Sequence, residues 1–588
     1  MVAVIVVIVI IVAGAAVALT LKTTTSSTTT TQSTISTTTS SSQMTTTSSS
    51  AMTTTSTSTT AMSASSSGNI TVSSDILSLT YADVPNTDPA IGSDEASSAA
   101  LVNLYDSLVF PTSSGQIVPD LATSWNVSTN DLTYTFNLRS GVTFHNGDPF
   151  TSADVVFSMD RFLNMSQGYS YLLTPYVANI TAPNSNTVVI NLKQTFGPFL
   201  SALVRLYILD QAQVVAHEDH TVTTYGSNGD YGSTWLLTHD AGSGPYEMVS
   251  ANLEANMIIQ EYANYWNGTN TNQPREVQLI GIDTPTTVQA LFSTHEIQIT
   301  DQWQTYSLIQ ALSKLPGSQM VEIPTVNEMY LMMNTQKAPT DDIYVREAMS
   351  YALNYSAVID NIFQGSKPSA GPVPSVLPGH NPNIPVSAQN LTLAKELIQK
   401  SKYYSNGKIT TPIEYYWVSA VPAEQQLALE FASDMQAIGI TVNIVSEPWL
   451  TVVADLGNES SSPNIVSVED GASYYEAGSV LQSRYTLASQ GTWEQNEWLN
   501  NQTLNSAILS ALSIVNQTAR FQAYESLQTQ IYNMYPTIYA FDVYEVRAYY
   551  PSVVNWYAAD GHPNALLGYD FIFRDFTFNS TALAALGG

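Results

Sequence analysis

The run from residue 411 to 446 decides what class of fold this chain can adopt. TPIEYYWVS reads as a short strand, AEQQLALEFASDMQAIG as a helix of about four turns, and ITVNIVS as a second strand. LTLAKELIQKS, just before them, is a further amphipathic helix. Helix, strand, helix, strand in that order requires a parallel strand pair joined by a right-handed helical crossover, and so an α/β layer. No internal repeat is visible.

The first seventy or so residues cannot belong to that layer. Met1 to Leu21 carries no charge, and at ~1.5 Å per residue a helix of this length crosses a hydrocarbon layer of ~30 Å. Residues 1–22 are therefore expected to form a membrane anchor or an uncleaved leader, and they resemble an archaeal pilin-type leader. Residues 23–68 are almost all Thr and Ser. Such a segment buries too little apolar surface to offset the entropy of ordering, so it is expected to be a stalk whose hydroxyls suit O-glycosylation. Asn-x-Ser/Thr sequons follow at Asn69, Asn126, Asn164, Asn179, Asn267 and Asn354, then at Asn390, Asn458, Asn501, Asn516 and Asn579. Their spread suits a glycosylated outer surface. Anchor, stalk and sequons place the body outside the cell, held on the cytoplasmic membrane.

Cysteine is absent, so neither disulfides nor thiolate metal sites hold the body, which must rest on its hydrophobic core. Acidic residues number 48 against 18 basic ones, a formal charge of −30. That field repels nucleic acid and anionic lipid. It would fit an acidic medium, where carboxyl groups are largely neutral.

Within the body, DLTYTFNLRSGVTFHNGDPFTSADVVFSMDRF (131–162) forms a compact module. Leu132, Tyr134, Phe136 and Leu138 alternate with polar residues as a strand does, Gly141 and Asn146-Gly147 supply turns, and Thr151 with Asp154 opens a helix. Helices are also expected from Ala96 to Val109 and along VREAMSYALNYSAVIDNIF (345–363), and a hairpin along GSGPYEMVSANLEANMIIQEYANYW (242–266).

PDLATSWNVSTNDLTYTFNLRSGVTFHNGDPFTSADVVFSMDRF, then GSGPYEMV with NYWNG, then MNTQKAPTDDIYVREAMSYALNYSAVIDNIFQGSKPSAGPVPSVLPGH resemble, in order, the signature blocks of one family. It is the peptide/oligosaccharide class (family 5) of extracellular solute-binding proteins that serve ABC importers. The likeness runs from about residue 70 to the end of the chain. It implies an α/β, bilobed periplasmic-binding-protein-like fold of type II, in the large cluster C form, with a small α+β domain inserted in lobe I. The expected division is lobe I at 69–110, 191–282 and 538–588, the insert at 111–190 and lobe II at 283–537, with hinges near 280–284 and 534–537. It further implies a receptor that closes on an oligopeptide or oligosaccharide and hands it to ABC permease subunits, without a cofactor or metal and without catalysis.

In the peptide-binding relatives an aspartate on lobe II holds the peptide's ammonium group. Here Ser473 stands at that position and Asp470 where a Trp would be, while Tyr474 keeps its place. A neutral hydroxyl cannot make the charge-assisted bond, so the peptide reading needs Asp470 or Glu469 to take over; otherwise a sugar is favoured. The aromatic candidates for ligand contact are Tyr416, Trp417, Tyr330, Trp303 and Trp449. Because strand neighbours point to opposite faces, either Tyr416 or the Tyr415/Trp417 pair is core. His217-Glu218-Asp219-His220 has metal-like spacing but reads better as an exposed loop. No nucleophile elbow, His-Glu-x-x-His or cysteine nucleophile supports a hydrolase, and the other alternative is a surface-layer or pilus-like structural protein.

Overall fold

The computed structural model describes residues 76–282, 284–564 and 566–586. The expected anchor, the stalk and Asn69 lie outside the described residues, as does Asp283 in the first expected hinge. Among the described residues no helix is long and apolar enough to cross a membrane.

Three sheets organise the body. The first has the order Ile76–Tyr81, Glu276–Gly281, Asn256–Glu261, Tyr246–Asn252, and its last two strands form the expected hairpin. The second is the antiparallel sheet Ala122–Val127, Thr133–Leu138, Thr187–Leu192, Val177–Asn184. The third has six strands in the order Lys367–Pro368, Thr537–Tyr549, Gln319–Met333, Ile465–Asp470, Ile413–Val418, Val442–Glu447. In it, Ile413–Val418 pairs in parallel with both Val442–Glu447 and Ile465–Asp470, as the strand, helix, strand order requires.

The two longest strands join the halves. Gln319–Pro324 pairs with Tyr544–Tyr549 near the first sheet, and Glu328–Met332 pairs with Thr537–Asp542 inside the six-stranded sheet. Between these stretches the register shifts, and Thr325 Oγ1 bonds the Val543 carbonyl at 2.8 Å in place of a ladder bond. Bridges from Leu79 to Ile299 and from Ile299 to Tyr549 connect the first sheet to this pair. The interruption therefore falls near Val543, beyond the expected crossing at 534–537, because Thr537 is already paired with Met332 in the six-stranded sheet.

Alternation assigns the faces of the six-stranded sheet. Met329, Leu331 and Met333 meet the helices Ile343–Ala352, Leu391–Ile398 and Pro422–Gln436, while Tyr330 and Met332 point the other way, toward helix Trp449–Leu456 and Trp493. In the module, Tyr134, Phe136 and Leu138 are buried under helix Ser152–Met165. Gly141 and Gly147 take left-handed φ values of 79° and 93° in the turns between them. The module does not close on itself. Its core continues into helices Ala477–Tyr485, Gln502–Leu512 and Gln517–Tyr532.

Two expected helices are shorter than read. The first runs Glu95–Leu104, since Tyr105 is extended and Val109 already belongs to a strand paired with Ile117–Pro119. The second is broken into Ile343–Ala352 and Tyr355–Asn361. Leu353 is extended, and Asn354 starts a new helix by accepting from Ala357 N–H at 3.1 Å while its own N–H donates to Asp434.

Asn354 is one of the sequons, and the same role recurs. Asn390, Asn501 and Asn516 cap the helices that follow them, and the Asn579 side chain accepts from Ala582 N–H ahead of Ser580–Leu586. Asn at the cap with Ser or Thr two positions on satisfies helix-end donors, so the pattern has a folding reason in half of its described occurrences.

The Thr151 cap is a full box: its side chain accepts from the helix start while Asp154 accepts from Thr151 N–H at 2.8 Å. Thr151→Ala should cost about 1 kcal/mol, seen as a lower urea midpoint at unchanged slope, whereas Thr151→Ser should retain most of the stability.

Candidate functional site

A cavity of about 180 Å³ lies between the first sheet and the six-stranded sheet. One wall comes from Asp83, Val84, Asn86 and the start of helix Glu95–Leu104; the other comes from the carboxyl ends of strands Ile413–Val418 and Ile465–Asp470. After Ile413–Val418 the chain crosses to Val442–Glu447 on one side, while Ile465–Asp470 lies on the other. Connections leaving in opposite directions open a crevice at the strand ends, where α/β proteins bind ligands. Val418, Glu469 and Glu424, in the first turn of the crossover helix, line it.

Three indoles shape the space. Trp449 and Trp493 meet edge to face at 5.2 Å and 70°, and Trp303 forms a further part of the wall. Around them stand five carboxyl groups, Asp83, Asp94, Glu95, Glu424 and Glu469, and no Lys, Arg or His among the described residues lines the cavity.

Each carboxyl is held by the fold. Asp94 caps its helix by accepting from Ser97 N–H at 2.8 Å. Glu95 pairs with Arg547 at 2.9 Å. Glu424 is 2 % exposed, and its Oε2 accepts from Val418 N–H and Ser467 Oγ, both at 3.0 Å, so that Oε1 is left without a protein partner. Glu469 Oε1 accepts from Asn327 Nδ2 at 2.9 Å. Burial raises Asp94, Glu95, Glu424 and Glu469. It pushes Glu424 to about 7, and burial with the repulsion of Glu545 pushes Glu469 to about 8. Burial raises Asp94, and Glu95 is raised well above the ordinary range by burial and the Glu545 charge, against the pull of Arg547.

The residues singled out from sequence divide sharply. Trp303 and Trp449 line the cavity, as does Glu469. Asp470 is buried and ion-paired with Arg484, whose guanidinium lies 3.5 Å from the Tyr330 ring centre. Ser473 is buried, its carbonyl accepting from Arg205 Nε at 3.0 Å and its hydroxyl 3.2 Å from Tyr171 OH. Tyr474 is fully buried, bonds Gln482 and meets Phe196 edge-on. The 470–476 segment thus stitches the six-stranded sheet to the inserted module and does not face the cavity. Trp417 is core together with Tyr415, and Tyr416 sits half-buried on the opposite face. The His217–His220 stretch is a surface turn with His217 stacked on Trp235 at 4.3 Å.

Sequence reasoning missed Trp493, Glu424 and the Asp94/Glu95 pair. Glu424 was findable: it stands in the first turn of a crossover helix that follows a strand end, where polar groups face ligands.

A family model described as bacterial extracellular solute-binding proteins, family 5, middle region, matches residues 116–491. The chain is 26% identical over 473 residues to heme-binding protein A of Haemophilus influenzae, covering 75% of this chain and 82% of that one. It is 27% identical over 376 residues to the dipeptide-binding protein of Escherichia coli, covering 60% and 67%. The fold superposes with a TM-score of 0.75, at 23% identity and over 86% of this chain and 98% of the other, on the ABC transporter-associated periplasmic binding protein DppA from Helicobacter pylori in complex with the peptide STSA.

Raised carboxyls give stability a definite pH dependence. Glu424 and Glu469, ordinarily near 4.5, hold protons in the native state up to about 7 and 8. Their contribution is fully present below the unfolded value and is lost as pH rises through the folded one, at about 1.4 kcal/mol for each tenfold difference in proton affinity. The unliganded protein should therefore melt higher at pH 5 than at pH 8 in calorimetry, and a flat or opposite trend would contradict this assignment.

Proposed function

The chain belongs to the bacterial extracellular solute-binding proteins, family 5, and from that premise we propose that it is the receptor of an ABC importer that encloses a short peptide between its two halves and delivers it unchanged to permease subunits in the membrane. The observation that carries the reading is the Trp-walled cavity at the strand ends, bounded on one side by the first sheet and on the other by the six-stranded sheet. Closing the halves buries the guest, and binding shifts the open and closed populations by the guest's differential affinity for the closed form. The joint is the strand pair Gln319–Met333 and Thr537–Tyr549, whose ladder is interrupted near Val543, together with the crossing near residues 280–284.

Glu469 takes the part of the family's ammonium-holding acid. It stands beside Asp470 at the strand end and lines the cavity, whereas Asp470 is paired with Arg484. Trp303, Trp449 and Trp493 wall the peptide's side chains. This arrangement favours a peptide over an oligosaccharide, because a neutral sugar brings no charge to set against buried acids.

The uncharged run at 1–22 and the Ser/Thr tract at 23–68 support a receptor of the archaeal anchored type, tethered on the outer side of the cytoplasmic membrane. Glycans would sit on sequons free of capping duty, among them Asn126, Asn179, Asn267 and Asn458, all exposed.

A thermal-shift screen of di- and tripeptides against malto- and cello-oligosaccharides tests the reading. A peptide at 100 times its dissociation constant should add about 2.7 kcal/mol to stability, sugars should add nothing, and mass spectrometry should recover the peptide intact. Cleaved peptide, or a response to sugars alone, would refute it.

A further inference from the structure

The charge inside the cavity goes further than one ammonium site. Among the described residues no cation lines the cavity, and two guanidinium groups of the sheet interior are spoken for. Arg547 is bound to Glu95, Glu545, Gln302 and the Thr300 carbonyl; Arg484 is bound to Asp470. Two small crevices share residues with the cavity and extend it: one through Trp303, Val421 and Glu469 adds Glu545, and the other through Glu95, Asn327 and Leu567 adds Asp570. Neither brings a basic residue.

The acids would be surface decoration if they were solvated, but Glu424 is almost wholly buried and lines the cavity, and its donors among the described residues, Val418 N–H and Ser467 Oγ, both reach Oε2 and leave Oε1 without one. An oxygen of so buried a carboxyl with no protein donor is costly, and the 180 Å³ cavity that the residue lines can admit a donor. An engineered cavity of about 150 Å³ takes a benzene ring, so there is room for about one residue of a guest.

We propose that the cavity selects a guest with more than one positive charge and no carboxylate inside the enclosure: a peptide end bearing a Lys or Arg side chain, with the α-ammonium at Glu469 and the side-chain cation at Glu424. This rests on the peptide-receptor reading and narrows it. The carboxylate of a free dipeptide would be enclosed with five acids and no base. A guest with its C-terminus amidated, or extended out of the cavity, avoids that repulsion.

Isothermal titration of the full-length protein with Lys-Ala amide, Ala-Ala amide and Glu-Ala amide, and with the free acid of Lys-Ala, provides the test. Lys-Ala amide should bind at least about tenfold tighter than Ala-Ala amide, the low end for a hydrogen bond to a charged group. Glu-Ala amide should bind weakest, and the free acid of Lys-Ala weaker than its amide. In Glu424→Gln, with folding checked by circular dichroism, the Lys-over-Ala preference should shrink. Equal affinities across the series in the wild type would overturn the charge assignment and leave the peptide receptor standing. An arginine amide probe that binds when none of the peptides does would support the charge assignment and sink the peptide reading. Silence from every cationic probe would overturn both.

Discussion

Positive charge is scarce in this chain, and the interior takes a large share of it. Among the described residues six arginines are buried: Arg161, Arg205, Arg346, Arg484, Arg520 and Arg547. Arg161 grips Asp88 with both terminal nitrogens at 2.6 Å, and Arg520 holds Glu476 in the same two-pronged way at 3.0 and 2.7 Å. Arg205 binds the carbonyls of Ser473 and Leu567, and Arg346 those of Met534, Tyr535 and Thr340. Every one of these contacts except the Thr340 carbonyl joins segments far apart in sequence. A buried pair adds little net stability over an apolar replacement, but removing one partner strands a charge at about 3–5 kcal/mol. The arginines therefore fix which segments meet, in a body that has no disulfide to do so.

The site is a by-product of that wiring and of sheet topology. With Asp470 tied to Arg484 and Ser473 to Arg205, the segment after strand Ile465–Asp470 is drawn toward the inserted module and away from the first sheet. What remains at the strand ends is the gap left by connections departing on opposite sides of Ile413–Val418, and Trp449, Trp493 and Trp303 close it. Of the neighbouring acids at that strand end, Asp470 is tied to Arg484 and Glu469 lines the gap.

Much of the fold was legible because it depends on local rules. The capping box at Thr151 and Asp154, the alternation of Tyr134, Phe136 and Leu138, and the parallel pair around Pro422–Gln436 all follow from residue spacing alone. The site was only partly legible, because lining a cavity is a property of register and partners. Tyr330 looks like a ligand aromatic until Arg484 is seen stacked on it, and Tyr474 keeps a family position while spending its ring on Phe196. Asn354 illustrates the same limit at helix ends: the apolar stripe from Val345 to Phe363 reads as continuous, yet the cap bond to Ala357 and the tie to Asp434 break it in two. Periodicity sees the stripe and not the competitor for the backbone donor.

Counter-charge is unevenly shared among the buried acids of the interior. Asp88, Asp470 and Glu476 each face a buried guanidinium, and Glu95 shares Arg547 with Glu545. Glu424 and Glu469, like the buried Asp106, Asp301 and Glu328 elsewhere, are held without a guanidinium, here by a backbone N–H, a hydroxyl and an amide, which orient a carboxyl without neutralising it. What distinguishes Glu424 and Glu469 is the empty volume that they line, which an arginine would fill. Carboxyls oriented but unpaired, beside indoles and an empty volume, fit the proposed cationic guest, whose charge would take the place of the protons that burial holds on Glu424 and Glu469.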